Sequence, residues 1–381
     1  MTQAASPPLE IPPPLPAENP DYLSRQLITY IGNKRALLPV LGKATERVKA
    51  RLGQQKLRIA DLFSGSGVAS RFFKAHASAL WSNDLEDYAA VIGRCYLRNA
   101  SAVDWPALRA AVSEIERRAA AETFAPGFFE ELYAPRDETA ITRADRVFYT
   151  RANARRLDTY RRLIAEAPAA LHDLLLGPLL SGASVHANTA GVFKGFYKDK
   201  ATRIGQFGGS GRDALSRITG AITLDLPVLS NFECECHVLQ GDANRNARRL
   251  EGLDLAYLDP PYNQHPYGSN YFMLNLLVRY ERPQAISRVS GIPEGWRRSD
   301  YNVKKRALAA LRDLLDGTDA RFLLISFNDE GFIAPELMRE TLAGYGTVDV
   351  FTSTYNAFRG SRSFEKRSLH VKEHLFLVER K

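Results

Sequence analysis

Alternating short apolar runs and amphipathic stretches predict an α/β protein built on a mostly parallel sheet with helices on its faces. Five β-rich runs carry this expectation: Arg58 to Phe63, Ala79 to Asn83, Glu235 to Gln240, Leu253 to Leu258 and Arg321 to Asn328. Lys34 to Leu52 and Tyr301 to Leu315 place apolar residues at helical spacing, so helices should pack between the strands. Thr347 to Tyr355 and Ser368 to Glu379 read as a closing antiparallel pair. The series is interrupted once, by roughly Ser101 to Cys234, which starts Arg- and Ala-rich and helical and ends glycine-rich; this predicts a second lobe.

The chain has 381 residues, 45% of them hydrophobic, enough for a large core and more than one lobe. Its formal charge of +8 makes a polyanionic partner plausible. Cys95, Cys234 and Cys236 are too few for a disulfide framework, and Cys-x-Cys without further ligands at metal spacing makes a poor zinc site. A reducing cytoplasm fits best. No apolar run reaches membrane-spanning length. Residues 1–20 hold seven prolines and read as an extended, mobile arm. The expected organisation is therefore the arm at 1–20, one domain from 21–100 and 235–381, and a second from 101–234.

The run Leu253 to Leu258 leads directly into Asp259-Pro260-Pro261-Tyr262. Two prolines fix φ and supply no N–H, leaving the Asp259 carboxylate and the Pro260 carbonyl as acceptors beside the Tyr262 ring. Those elements suit a flat heterocycle with an exocyclic amine: two N–H donors meet two acceptors while the base face stacks on the ring. Asp and Pro are also ordinary turn residues, so an unremarkable strand-ending turn is the competing reading.

Asp61-Leu62-Phe63-Ser64-Gly65-Ser66-Gly67 follows the first strand and precedes a helix, so its glycines let backbone approach a small ligand at the strand's carboxyl end. A nicotinamide dinucleotide usually wants a third glycine where Ser70 stands, and Asp61 would repel its pyrophosphate. An acid there better suits an ammonium-bearing ligand such as S-adenosylmethionine (AdoMet). Asp84, at the end of the second strand before Leu85, can accept from ribose hydroxyls or cap the next helix. Asp242, between Gly241 and Ala243, can accept from an adenine amine or serve a turn.

Tyr30-Ile31-Gly32-Asn33-Lys34-Arg35, then Asp61-x-Phe63-x-Gly65-x-Gly67, Asn83-Asp84, and after the insertion Asp259-Pro260-Pro261-Tyr262, together resemble the Dam-like, D12-class DNA adenine methyltransferases in their alpha motif order. The resemblance implies a Rossmann-like AdoMet-dependent methyltransferase sheet, with the insertion as target-recognition domain. It also implies that Tyr30, Gly32, Asn33 and Lys34 hold the methionine part, Asp61 its amino group, and Phe63, Ser64, Gly65, Ser66 and Gly67 the rest of that turn. Asp84 and Leu85 would serve the ribose, and Asp242 and Ala243 the adenine. Trp81, Ser82 and Leu85 depart from common family choices, so Asp84 carries the weight there.

An exocyclic amine is a poor nucleophile because its lone pair is delocalised, and hydrogen bonds to Asp259 and the Pro260 carbonyl would localise it. No covalent enzyme intermediate is needed, unlike cytosine C5 methylation, for which no cysteine lies in a suitable motif. The base must be flipped out of a duplex to reach such a turn. Gln264, His265, Tyr267, Ser269, Asn270 and Tyr271 form a polar, aromatic loop suited to closing over it. Lys194, Lys198, Lys200, Arg203 and Arg212, interleaved with Phe193, Phe196 and Tyr197, are candidate contacts to double-stranded DNA. Arg359, Arg362, Lys366 and Arg367 crowd the turn before the last strand, where the family meets DNA.

His370-Val371-Lys372-Glu373-His374 matches a zinc-protease pattern, but its β-rich flanks predict a strand, which separates the histidines by roughly 13 Å, so no metal is expected. The function anticipated is site-specific methylation of adenine N6, as part of or derived from a restriction-modification system with a possible cognate endonuclease. Cytosine N4 methylation and a DNA-binding protein without catalysis are the alternatives. Methylation of RNA or protein glutamine fits less well, because those enzymes more often carry Asn at the place of Asp259.

Overall fold

A computed structural model describes residues 18–209, 211–212, 214–329, 331–356 and 370–381. Seven strands form one sheet: β1 (Leu57–Asp61), β2 (Ala77–Asp84), β3 (Glu235–Gln240), β4 (Leu253–Leu258), β5 (Ala320–Asn328), β6 (Gly346–Asn356) and β7 (His370–Arg380). Their order is β3-β2-β1-β4-β5-β7-β6. The first five run parallel, while β7 pairs antiparallel with both β5 and β6. The chain grows outward from β1 in one direction and, after the insertion, returns to β4 and grows the other way. This leaves a crevice outside the carboxyl ends of β1 and β4, where ligands bind in open α/β sheets.

Strand side chains alternate, and both faces are covered. Ile59, Leu255, Tyr257, Leu324 and Leu377 pack with Leu41 and Val48 of the helix Leu38–Leu52 and Phe73 of Val68–Lys74. Ala60, Ala256, Leu258, Leu323 and Val378 pack on the other face with Leu311 and Leu315 of the helix Lys304–Gly317 and Met338 of Pro335–Ala343.

Two expected helices start later than their spacing suggests. The first opens as a 3-10 turn, Lys34–Leu37, before Leu38–Leu52, because Asn33 caps Arg35 and Pro39 has no N–H to continue an α ladder back into the turn. The other starts at Lys304; Tyr301 lies in a separate 3-10 turn capped by Ser299, and Val303 is extended. β1 ends at Asp61, short of Phe63, where the chain turns toward the glycines. The segment His370 to His374 lies on β7, a strand as its flanks predict.

The insertion contributes the helices Trp105–Ala121, Phe128–Tyr133, Arg151–Glu166 and His172–Val185. Among the described residues its core is shared: Leu175, Leu179, Phe148 and Tyr160 belong to one buried cluster with Tyr88 and Ile92 of the helix Asp87–Tyr96 and Phe272 and Leu276 of Phe272–Arg279. Among the described residues no helix is long and apolar enough to cross a membrane. Residues 1–17 of the expected arm, and Arg359, Arg362, Lys366 and Arg367, lie outside the described residues.

Candidate active site

At the carboxyl ends of β1, β2 and β4 opens a cavity. Phe63 after β1, Asp84 at the end of β2 and Leu85 after it, Asp242 and Ala243 after β3, and Asp259 and Pro261 after β4 line it. Tyr30, Gly32 and Tyr267 close one side. Four motifs scattered through the sequence thus share one wall. Tyr30 stacks on both Tyr267, with ring centroids 5.1 Å apart, and Tyr271, at 4.7 Å, which are themselves 6.0 Å apart, and this cluster ties the amino-terminal motif to the loop after β4. Ile31 N–H donates to the Tyr271 hydroxyl at 2.7 Å, reinforcing the junction.

Asp84 is fixed by its neighbours' backbone. Its Oδ2 accepts from Gly65 N–H at 2.8 Å and its Oδ1 from Glu86 N–H at 2.9 Å. The helix after β2 starts at Asp87, so Asp84 is not its N-cap. Gly65 takes φ of 50°, and a Cβ there would sit 2.8 Å from the Tyr30 hydroxyl oxygen, so the turn requires glycine. Ser64 and Ser66 are buried, and Gly67 donates to Ser64 O at 2.7 Å; these three shape the turn without lining the cavity. Asp242 combines both sequence readings: it lines the cavity and caps the helix Ala243–Ala247 by accepting from Arg245 N–H at 3.0 Å.

Asp61 points elsewhere. It is fully buried, accepts from Ser70 Oγ at 2.6 Å, and does not line the cavity. Burial pushes its carboxyl up to about 7. Lys34 likewise turns away from the open space. Its Nζ lies 3.0 Å from Asp259 Oδ1 and 2.5 Å from Glu373 Oε1 on β7. The same Glu373 oxygen accepts from Ser326 Oγ of β5 at 2.6 Å. Asp259, with its side chain 15% exposed, is pushed up to about 7 by burial, with Lys34 opposing that rise and Glu373 adding to it. The Tyr262 ring lies edge-on to Phe327 at 5.8 Å and 5.5 Å from Lys34 Nζ. Pro260 is buried, leaving Asp259 and Pro261 as the part of the turn on the cavity wall.

Several wall residues carry no motif. Arg297, Ser299, Tyr301 and Asn302 come from the irregular stretch before the helix Lys304–Gly317, and Tyr301 meets Phe63 edge-to-face at 5.4 Å. Arg297 donates to Leu85 O at 2.8 Å and pairs with Asp87 at 2.9 Å, anchoring that stretch to the end of β2. Glu86 is buried against Asn275 and pushed up to about 7 by desolvation. An acid two residues beyond Asp84 is the one sequence signal that could have flagged this corner.

The glycine-rich stretch is anchored at its base. Buried Asn188 donates to Val147 O at 2.7 Å and accepts from Gly208 N–H at 3.1 Å, while Phe193 and Phe196 sit in the core. Lys194, Lys200, Arg203 and Arg212 are exposed and Lys198 half-buried, its Nζ 4.8 Å from the Phe196 ring centre. Tyr267 faces the cavity, whereas Asn270 is buried and accepts from Phe193 N–H at 2.8 Å through its carbonyl.

A mostly parallel seven-stranded sheet with an antiparallel hairpin at one side, and a cavity at the point where strand order reverses, defines the class: an AdoMet-type methyltransferase fold. Within that class, the model of the D12 class N6 adenine-specific DNA methyltransferases matches residues 30–172 and 226–341, more than half of the chain, and the chain belongs to that family. It is 27% identical over 362 residues to the Type II methyltransferase M.NlaIII of Neisseria lactamica, covering 93% of this chain and 99% of that one. To the Type II methyltransferase M.CviAII of Paramecium bursaria Chlorella virus 1 it is 27% identical over 358 residues, 92% and 98% of the two chains. The modification methylase StsI of Streptococcus sanguinis is 26% identical over 367 residues, 92% of this chain and 52% of that one. Of the insertion, only residues 173–225 lie outside the family match.

Proposed function

We propose that this DNA adenine methyltransferase takes its methyl group from AdoMet and places it on N6 of an adenine flipped out of a short specific duplex sequence, as the modification partner of a restriction endonuclease. The observation that carries the reading is the Asp259 carboxylate on the wall of the cavity that Asp84 and Asp242 also line. The donor set suits AdoMet: acceptors for ribose and adenine at Asp84 and Asp242, aromatic edges at Phe63 and Tyr301, and acid at the far end. When bound, AdoMet would supply an electrophilic methyl group on a sulfonium.

The chain's own residues do the rest. Asp259 accepts one N–H of the adenine amine and the Pro260 carbonyl the other, drawing the nitrogen toward the pyramidal geometry of the transition state. Tyr262 offers a ring for the extruded base. Tyr30, Gly32 and Tyr267 hold the cofactor's methionine end and shut out water, while Gly65 and Gly67 keep the neighbouring backbone close. Lys194, Lys198, Lys200, Arg203 and Arg212 meet phosphates and groove edges from a target-recognition domain within 101–234, whose residues 173–225 carry what is particular to this chain.

Nucleoside analysis of DNA methylated by the enzyme, together with modified-base sequencing of the host's DNA, tests this. N6-methyladenine at one short motif is expected. N4-methylcytosine, or no modified base, would overturn it.

A further inference from the structure

Two strands that play no part in the cofactor motifs anchor the lysine that pairs with Asp259. Glu373 of β7 is 1% exposed and accepts both from Lys34 Nζ and from Ser326 Oγ of β5. Lys34, 6% exposed, is thereby held between Glu373 and Asp259. A buried ammonium needs compensation on every side, and here two carboxylates share it. Period-two alternation puts Glu373 on the inward face with Leu375 and Leu377, a place where carboxylates are rarely found without a task.

The geometry points to Glu373 as a positioning residue: it fixes the Lys34 ammonium against Asp259 Oδ1 and so orients the Asp259 carboxyl, leaving its other oxygen for the amine. This rests on the methyl-transfer reading above and deepens it. The charged and titratable groups facing Asp259 are Lys34, Glu373 of β7, Asp61 of β1, Tyr257 of β4, and Tyr262 and Tyr267 of the following loop. Burial raises the Asp259 carboxyl; Lys34 opposes that rise and Glu373 adds to it.

These opposed influences give a signature that a merely structural role would lack. The rate of transfer depends on ionised Asp259, so it rises with pH through that group's titration. Glu373→Gln keeps the shape and hydrogen bonding but removes a negative charge, so the acidic limb moves to lower pH, by about one unit at most. Lys34→Met removes the ammonium, and the limb moves to higher pH, by about one unit or more. The double variant Lys34→Met/Glu373→Gln, which removes both charges and leaves no unpaired ion at 34 or 373, moves it upward, because Lys34 is the stronger influence.

The experiment is single-turnover transfer from tritiated AdoMet to unmethylated genomic DNA at pH 5.5 to 9, with calorimetric AdoMet titration and circular dichroism of each variant. Expected are opposed shifts for the two single variants and AdoMet affinity within a few-fold of wild type for Glu373→Gln. Limbs that coincide or move together, or an affinity that falls in step with the rate of Glu373→Gln, would overturn the assignment. If Glu373→Gln does not fold, the double variant decides by comparison with Lys34→Met: a limb below that of Lys34→Met supports the assignment and a coincident one sinks it. Asp259→Ala separates the two levels of the reading. Active Asp259→Ala removes the methyl-transfer assignment itself, whereas inactive Asp259→Ala beside an unmoved Glu373→Gln profile removes only the role of Glu373.

Discussion

Asp84 and Asp259 are both acids at the carboxyl end of a parallel strand, both line one cavity, and burial raises both. They are held in opposite ways. Asp84 is clasped by two backbone N–H groups, which fix its geometry, and among the described residues it forms no ion pair, Arg297 acting on it only from a distance. Asp259 instead has an ammonium 3.0 Å away that is itself anchored by a second carboxylate. Backbone clasping suits a group that has only to bind, because amide donors cannot titrate. Charge clasping suits a group whose protonation must be set, because each neighbour moves its equilibrium.

The contrast breaks most sharply under Asp259→Ala. Transfer is expected to fall by about 10³-fold or more while AdoMet affinity stays within a few-fold, as single-turnover rates and calorimetry would register. Near-normal transfer would erase the distinction. Asp84→Ala should do the reverse, weakening AdoMet by roughly 10- to 100-fold, as expected when charge-assisted hydrogen bonds are removed, with a much smaller effect on the saturated rate. In the unaltered enzyme, single-turnover transfer should climb between pH 6 and 8 as Asp259, pushed up to about 7, loses its proton. A flat profile would mean that its charge does not matter.

Smaller effects probe the rest of the site. Replacing Lys200 or Arg203 by Ala should reduce the salt dependence of DNA binding by about one phosphate's worth for each replacement, read from the slope of log affinity against log salt. Slopes unchanged for both would remove those residues from the DNA interface. Glu86→Gln should raise the melting temperature at pH 8 but not at pH 5. Its carboxyl, raised to about 7 in the fold, costs stability once pH exceeds its unfolded value of 4.5, and that cost is complete only above about 7. A gain at pH 5 equal to that at pH 8 would assign the effect to packing instead.

Much of this site can be read without coordinates because its chemistry is compressed into contiguous residues. Asp259-Pro260-Pro261-Tyr262 announces its turn through proline, and Gly65 and Gly67 announce theirs through positive φ. β3 and β4 have the bounds that their apolar runs predict. What stays hidden depends on direction and on long-range pairing. That Asp61 sits at a strand end is legible, but Ser70, nine residues on, decides which way its carboxylate faces. Arg297 to Asn302 has no periodicity to declare it a wall, since only its bonds to Leu85 and Asp87 place it there. Glu373 stands in a segment whose letters suggest zinc, and its actual partners, Lys34 and Ser326, lie 339 and 47 residues away.

The bond from Phe193 N–H to the Asn270 carbonyl joins the basic, glycine-rich stretch to the loop that carries Tyr267. Tyr267 in turn stacks on Tyr30. If that stretch meets DNA as proposed, a strut of this kind would make the two ends of the reaction mechanically dependent: a misfit felt at the double helix would be transmitted, through one amide and two stacked rings, to the floor on which the chemistry stands. Fidelity would then be enforced by posture as well as by affinity, with a wrong sequence gripped but not properly seated.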